Sequence, residues 1–580
     1  MVSVTAGPTG EPRLDGGPGT PPRGVPARPR RSPAATAAAL GLATAVCALV
    51  VASTWRGADW PAQLYRVEFF RAHGWASFDT GWYGGHYPLA YSVLFPVLAS
   101  VLGPVVVVAA SIFGATWAFD RLVYEQFGPR GRVGTLCFAG GALLNVSIGQ
   151  LPFLLGAQFA LLAFVALHRR RTALAVLAAV VTPLASPVAA VFAVLGAGVW
   201  AVTSSQFRRA ASLVAAGALI PLAVTALLWP QTGRFPFTVG QFLLVLGACA
   251  ATYALLPHPT LRTGAVLYAL AAGAAFLIPS PIGGNVGRLA LTAGVPLVVA
   301  AVAFRPRRLL AVAAVPLLVW QWMPFASAMS AQRNPSQDPA YYEPLLAQLA
   351  AQEPQPARVE IPFTRDHWEA AHVAPSFPLA RGWYRQLDME ENGLFYAEGP
   401  LTPAAYHAWL IDHGVSWVAL PDVPLDFSAV QEAALLRSGL PFLEPVWQNI
   451  NWTLWRVLDS PGLVTGPARL GGMSADRFSL RFSAAGAATV RVRYTSHWVV
   501  ARGTACVGPN LSGWTTVRSD KPGPVVVEAG LLPSEDGRCS ARQDPLVPSQ
   551  EYLDRVREEN LLRAGTTVRR SGVGAGVGGR

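Results

Sequence analysis

The sequence predicts a mainly α-helical polytopic membrane protein of about eleven spans, carrying extracytoplasmic α/β and β-sandwich domains. Three observations predict it. Of 580 residues, 52% are hydrophobic and only 13% charged, more apolar surface than a soluble core of this length hides. Apolar runs of near-spanning length follow one another as far as residue 330 and then stop. The arginines fall in short clusters between those runs, as loop charge does in membrane proteins. The net charge of +12 is therefore a topology signal, and nucleic acid is not an expected partner.

Residues 1–33 are rich in Pro, Gly and Arg and read as a disordered cytoplasmic tail, not a cleavable signal peptide. A transmembrane domain is expected over 34–329, with a first outer loop at 55–88. Apolar runs place spans near 34–54, 89–113, 133–148, 151–168, 172–186, 187–203, 210–229, 237–256, 263–280, 290–304 and 309–328. The pair 172–186 and 187–203 is separated only by a Pro-containing break at Pro183 and Pro187, and reads as two short helices or one interrupted element. With the N-terminus inside, Arg121/Arg130/Arg132, Arg169–Arg171, Arg208/Arg209, Arg262 and Arg305/Arg307/Arg308 all fall in cytoplasmic loops. An odd span count then puts residues 330–580 outside a plasma membrane. In the first outer loop, Leu64, Val67 and Phe70 or Arg71 recur at helical spacing, giving either an interfacial helix or a packed linker.

Beyond the spans the period changes. Residues 330–460 read as an α/β domain, with helices at 341–350, 403–412 and 429–437 and strands at 358–361, 416–420 and 452–458. Strict alternation at 477–483 and 488–494, with a further strand near 525–529, reads as an antiparallel sandwich over 461–545. Residues 546–580 are charged, then Gly/Arg-rich, and read as a disordered tail. Cys506 and Cys539 are candidates for a disulfide if this region is extracytoplasmic, whereas Cys47, Cys137 and Cys249 lie in apolar runs.

The densest chemistry is Phe78-Asp79-Thr80-Gly81-Trp82-Tyr83-Gly84-Gly85-His86-Tyr87, in the first outer loop. A carboxylate at a water–lipid boundary can take a proton from a sugar hydroxyl, which makes Asp79 the candidate base. Asp79-Thr80-Gly81 is equally good turn chemistry. Glu68 is a second candidate carboxylate. His86, Asn285, Arg288 and Gln150 are candidate phosphate ligands, each supplying hydrogen bonds or charge near the outer ends of spans, or are structural: a loop imidazole, a snorkelling arginine and its neighbour, and a helix-packing turn. Trp82, Tyr83, Tyr87, Trp368 and Arg381 could form a platform for a sugar ring or lipid chain, or be structural. No P-loop, dinucleotide fingerprint, CxxC pair or nucleophile elbow occurs. No cofactor is implied with certainty, and a divalent cation held by separated residues remains compatible.

This layout resembles the polytopic glycosyltransferases of the GT-C fold, and among them actinobacterial cell-envelope arabinofuranosyltransferases and mannosyltransferases. The resemblance spans roughly residues 34–330, with a compatible outer tail. It implies inverting transfer of a sugar, arabinofuranose or mannose, from a polyprenyl-phosphate donor to a cell-envelope glycan or glycolipid. It also implies a base in the first outer loop, where Asp79, or alternatively Glu68, holds the matching position. No adjacent acidic pair accompanies Asp79. Two other classes stay open: a transporter or flippase of lipid-linked sugars, and a non-catalytic glycan-binding assembly protein.

Overall fold

The computed structural model describes residues 33–53, 56–256, 258–303, 307–330, 334–352 and 356–539. The expected tails, 1–33 apart from Pro33 and 546–580, lie outside the described residues.

The first half of the chain is helical. It runs through α1 (Pro33–Ala52), α2 (Trp60–His73), α3 (Leu94–Leu102), α4 (Pro104–Phe127), α5 (Arg132–Ile148), α6 (Leu151–His168), α7 (Thr172–Ala185) and α8 (Pro187–Thr203). It continues with α9 (Arg208–Leu228), α10 (Val239–Leu255), α11 (Pro259–Leu277), α12 (Gly287–Leu289), α13 (Val295–Val302) and α14 (Arg307–Ser330). Among the described residues, six helical stretches are long and apolar enough to cross a membrane: 104–127, 129–148, 151–168, 208–228, 259–277 and 283–302. Four shorter apolar helices accompany them at 36–50, 172–185, 187–203 and 239–254. These helices, and not a count of eleven spans, are what length and composition support.

The expected span at 89–113 is replaced by two helices. Gly103 has φ +82° and Pro104 follows it, so α3 stops and α4 starts afresh. The latter runs on to Phe127 and stops at Gly128 (φ +66°); its polar Asp120 is buried and paired with Arg132 at 3.2 Å. Helices α7 and α8 are separate: Ser186 between them is extended and caps α8 by accepting from the Ala189 N–H. Small side chains, among them Ala175, Ala179, Ala193, Ala197, Ala211 and Ala218, let α6 to α9 approach closely.

The tail forms α15 (Glu343–Gln352), β1 (Arg358–Glu360), α16 (Glu369–His372), α17 (Arg385–Glu391), α18 (Pro403–His413), β2 (Val415–Pro421), α19 (Val430–Arg437), β3 (Leu443–Gln448) and β4 (Trp452–Val457). Its sheet has order β1-β2-β4-β3, with one parallel pair, β1 and β2. There follow β5 (Val464–Thr465), β6 (Ala468–Ser474), β7 (Arg477–Phe482), β8 (Gly486–Arg493), β9 (Trp498–Arg502), β10 (Ala505–Pro509), β11 (Trp514–Ser519) and β12 (Gly523–Ala529). They make two four-stranded antiparallel sheets, β10-β11-β8-β5 and β6-β7-β12-β9. Phe478, Leu480, Val490, Val492, Trp498, Val517 and Val527 fill one core between the two sheets. Cys506 and Cys539 form a disulfide.

Tail and helices are tied together through the first interhelical loop. Ser77 Oγ donates to the Gly530 carbonyl at 2.7 Å, and Thr80 Oγ1 donates to the Ser474 carbonyl. Each ring nitrogen of His497 lies 2.9 Å from a carbonyl oxygen, one from Gly530 and one from Leu228 at the end of α9. The loop helix α2 packs against α3 and α16: Ala62, Tyr65, Arg66, Val67 and Phe69 are buried, so it is not a helix lying free on a leaflet.

Candidate active site

The 78–87 segment folds into a tight hairpin in which Asp79 and His86 exchange backbone hydrogen bonds, each at 2.9 Å. The turn needs positive φ at Tyr83 (60°), Gly84 (77°) and Gly85 (147°). A Cβ on Gly85 would lie 2.3 Å from the Phe78 ring, so glycine is required there for space as well as conformation. Tyr83 is held in its strained conformation by its hydroxyl, which donates to the Tyr384 carbonyl at 3.0 Å.

Asp79 is only 1% exposed. Its carboxylate accepts from the Tyr65 hydroxyl at 2.9 Å and from the Gly81 N–H at 2.8 Å. Burial pushes its pKa up to about 7, against the opposing pull of those two donors and of Arg66. His86 Nε2 lies 3.6 Å from Asp79 Oδ2, beyond hydrogen-bond reach. Burial holds this imidazole down at about 3, so it is neutral near pH 7 and the contact is not an ion pair. Asp79 is thus packed against its own scaffold, which counts against it as the group an incoming alcohol meets.

A second carboxylate in the same loop is better placed. Asp59 immediately precedes α2, its side chain is 14% exposed, and it makes no capping hydrogen bond. Its Oδ2 lies 3.7 Å from Arg288 Nη2, whose side chain is 16% exposed. Burial raises the Asp59 pKa, with Arg288 and then Arg66 opposing. The backbone around it is fastened to the α5–α6 turn: Gly57 and Asp59 donate to the Ser147 and Ile148 carbonyls at 2.8 and 2.9 Å. Gly149 has φ +100°, and a Cβ there would lie 2.5 Å from the Trp60 nitrogen.

Arg288 is positioned from the other side. It lies in α12, directly before a π-helical turn at Ala290–Gly294. Tyr268 of α11 braces that irregularity, donating to the Val286 carbonyl at 2.7 Å and accepting from the Ala290 N–H. Gln321 of α14 donates to the Leu291 carbonyl at 2.6 Å. The Arg288 guanidinium sits 5.8 Å from the centroid of the Phe153 ring. Phe153 and Leu289 in turn line a largely apolar cavity of about 370 Å³. The cavity continues past Phe192 and Cys249 to Gln126 and His168.

The remaining candidates divide sharply. Gln150 precedes α6 beside Gly149, so it shares the neighbourhood of Asp59, and Asn285 lies three residues before Arg288, its amide donating to the Pro281 carbonyl at 3.4 Å. Glu68 does not join them: its side chain is 61% exposed on α2 and pairs with Arg71. Trp82 is wholly interior, stacked between Tyr65 and His86, and its indole N–H donates to the Ala370 carbonyl. Tyr83 is likewise buried, and Tyr87 shares a hydrogen bond with Thr495. Trp368 is buried and stacks on His372. Arg381 is buried in the α/β domain, bonded through two nitrogens to Asp388, with Glu432 at 3.4 Å and Glu360 at 4.0 Å. Trp82, Tyr83, Trp368 and Arg381 are buried and already lie against protein, whereas Tyr87 is half-buried. Among the described residues, no group of three or more His, Cys, Asp or Glu is placed to hold a metal ion.

Sequence reasoning missed Asp59, Tyr65 and Arg66. The available signal for Asp59 was position: it is the first acid after the first apolar run. Arg66 is buried, lies 3.8 Å from the Tyr91 ring centroid, and influences both Asp59 and Asp79.

Fold and site together define a polytopic membrane protein with a carboxylate–guanidinium pair next to an apolar cavity between its helices. No protein-family model and no curated protein matches the chain. Among solved structures it is similar to a cryo-EM structure of the arabinofuranosyltransferase AftD from Mycobacteria, at 15% identity and a TM-score of 0.45. That match covers 88% of this chain and 61% of the other, so the chain spans less than two thirds of AftD. At this level of similarity, function rests on the site.

Proposed function

We propose that the chain is a GT-C-like membrane glycosyltransferase. It would move a sugar, arabinofuranose or mannose, from a polyprenyl-phosphate donor to a cell-envelope glycan or glycolipid on the outer face of the plasma membrane. One observation carries the reading: the Asp59–Arg288 pair beside the apolar cavity, a place where a lipid chain and a charged headgroup fit together.

In this mechanism the lipid chain occupies the cavity and its phosphate draws Arg288 away from Asp59. Asp59, desolvated and released, takes the proton of the acceptor hydroxyl. The hydroxyl oxygen bonds to the anomeric carbon as the carbon–phosphate-oxygen bond breaks, and polyprenyl phosphate leaves with that electron pair. Attack opposite the leaving group inverts the anomeric centre. Asp79, with Tyr65 and His86, has the role of organising the loop. Support for an outer site comes from the disulfide, which suits an oxidising compartment, and from arginine clusters at the helix ends away from the tail.

The test is to incubate proteoliposomes with polyprenyl-phosphate arabinose or mannose and a cell-envelope acceptor, and to read the product's anomeric configuration by NMR. An inverted glycoside is expected; no product from either donor sinks the reading. Transport is the second reading, favoured by the cavity's reach to Gln126 and His168 at the far helix ends. Donor that crosses the bilayer without being consumed would decide for it. A non-catalytic protein would combine a buried Asp79 with no cavity; Asp79 is buried, but the cavity and the placement of Asp59 oppose that reading.

A further inference from the structure

The outer face of the sheet β6-β7-β12-β9 is a second place where charge accumulates, far in sequence from the loop site. Phe478, Leu480 and Phe482 of β7 point into the sandwich core, so Arg477, Ser479 and Arg481 point out. Arg481 is paired in register with Arg469 on β6, and both are exposed. Side chains directly opposed in this way have Cβ atoms about 5 Å apart, and like charges there are destabilising. On the other flank, Val525 and Val527 of β12 face the core, so Pro524 and Val526 face out. The register shift between Val526 and Val527 sets exposed Arg502 of β9 opposite Val526, on the same outer face. Two strand spacings and two residues separate Arg481 from Arg502, about 12 Å.

Among the described residues, none of these three arginines has an ion-pair or hydrogen-bond partner, while Arg477 on the same face is paired with Glu528 at 2.6 Å. The side chains between them, Ser479, Pro524 and Val526, are small, which leaves a shallow strip flanked by guanidinium groups.

We propose that this face docks an anionic glycan polymer, one bearing phosphate or carboxylate groups along its chain. The polymer's charges would lie between Arg469/Arg481 and Arg502 and relieve the like-charge opposition. The proposal does not depend on sugar transfer or on Asp59.

Dextran sulfate serves as the polyanion probe, with neutral dextran and phosphatidylglycerol vesicles as comparisons, against the full-length protein in detergent. Dextran sulfate is expected to bind in a salt-dependent way and neutral dextran not to bind. The variant R469Q/R481Q/R502Q should bind at least tenfold more weakly, with a shallower salt dependence. Its thermal midpoint should be unchanged or higher, because a repulsion has been removed. The variant R208Q/R209Q/R437Q loses the same number of charges elsewhere and should bind like the wild type. Equal weakening in both variants would show general attraction to a basic protein and overturn the proposal. So would undiminished dextran sulfate binding by R469Q/R481Q/R502Q, or loss confined to the lipid vesicles.

Discussion

Asp79 and His86 put opposite pH dependences on the same hairpin, and substituting one should expose the other. Asp79 titrates at about 7 when folded, against 3.8 for an exposed carboxyl. The folded state therefore holds a proton that the unfolded chain releases, and stability falls as pH rises from about 4 through 7. Over that window the loss amounts to on the order of 4 kcal/mol. His86 works the other way. It titrates at about 3 when folded and 6.5 when exposed, so the unfolded chain binds the extra proton and stability rises with pH between those values. Its magnitude is similar, on the order of 4 to 5 kcal/mol. From about pH 4 to 6.5 the two slopes largely cancel. Asp79→Asn keeps an acceptor for the Gly81 N–H and a polar partner for Tyr65, but cannot ionise. Thermal unfolding of the two purified proteins across pH 4–8 gives the difference curve. Near pH 4 they should match, and by pH 8 Asp79→Asn should be the more stable by a few kcal/mol. A difference curve that is flat, or that favours the wild type as pH rises, would refute the reasoning.

Three further outcomes follow from the contacts. Arg381→Gln strips Asp388, Glu432 and Glu360 of a shared buried cation and should destabilise the tail by about 3–5 kcal/mol, read as loss of folded protein or a lowered unfolding midpoint. Glu68→Gln breaks only an exposed pair with Arg71, so stability should change by less than about 1 kcal/mol and transfer by less than twofold. Replacing Cys506 and Cys539 with serine opens a link between residues 33 apart, and chain-entropy arguments put the cost at about 4 kcal/mol, measurable by denaturant unfolding of oxidised and variant protein.

Local pattern made much of the fold readable. Alternation at 477–483 and 488–494 corresponds to β7 and β8, and the helical periodicity of 403–412 and 429–437 to α18 and α19. Where hydropathy alone was followed, the boundaries failed: 89–113 is predominantly apolar, yet Gly103 and Pro104 divide it. The site was less legible. The Phe78–Tyr87 run stands out in composition, but its glycines and aromatics serve a buried turn. What buries it are partners hundreds of residues away, such as Ser474 and Tyr384, which no local pattern shows. Arg288 was legible because a cation at the edge of an apolar run demands a partner. That partner, Asp59, was not, since a lone acid beside Trp60 has no unusual composition and acquires its position from the α5–α6 turn.

Single-turnover transfer by Asp59→Asn in lipid nanodiscs, with donor binding measured in parallel, bears most directly on the assignment of the base. Donor affinity should stay within a few-fold of wild type while the transfer step slows at least a hundredfold, as removal of a general base requires. Wild-type turnover by Asp59→Asn, with donor bound normally, would contradict it.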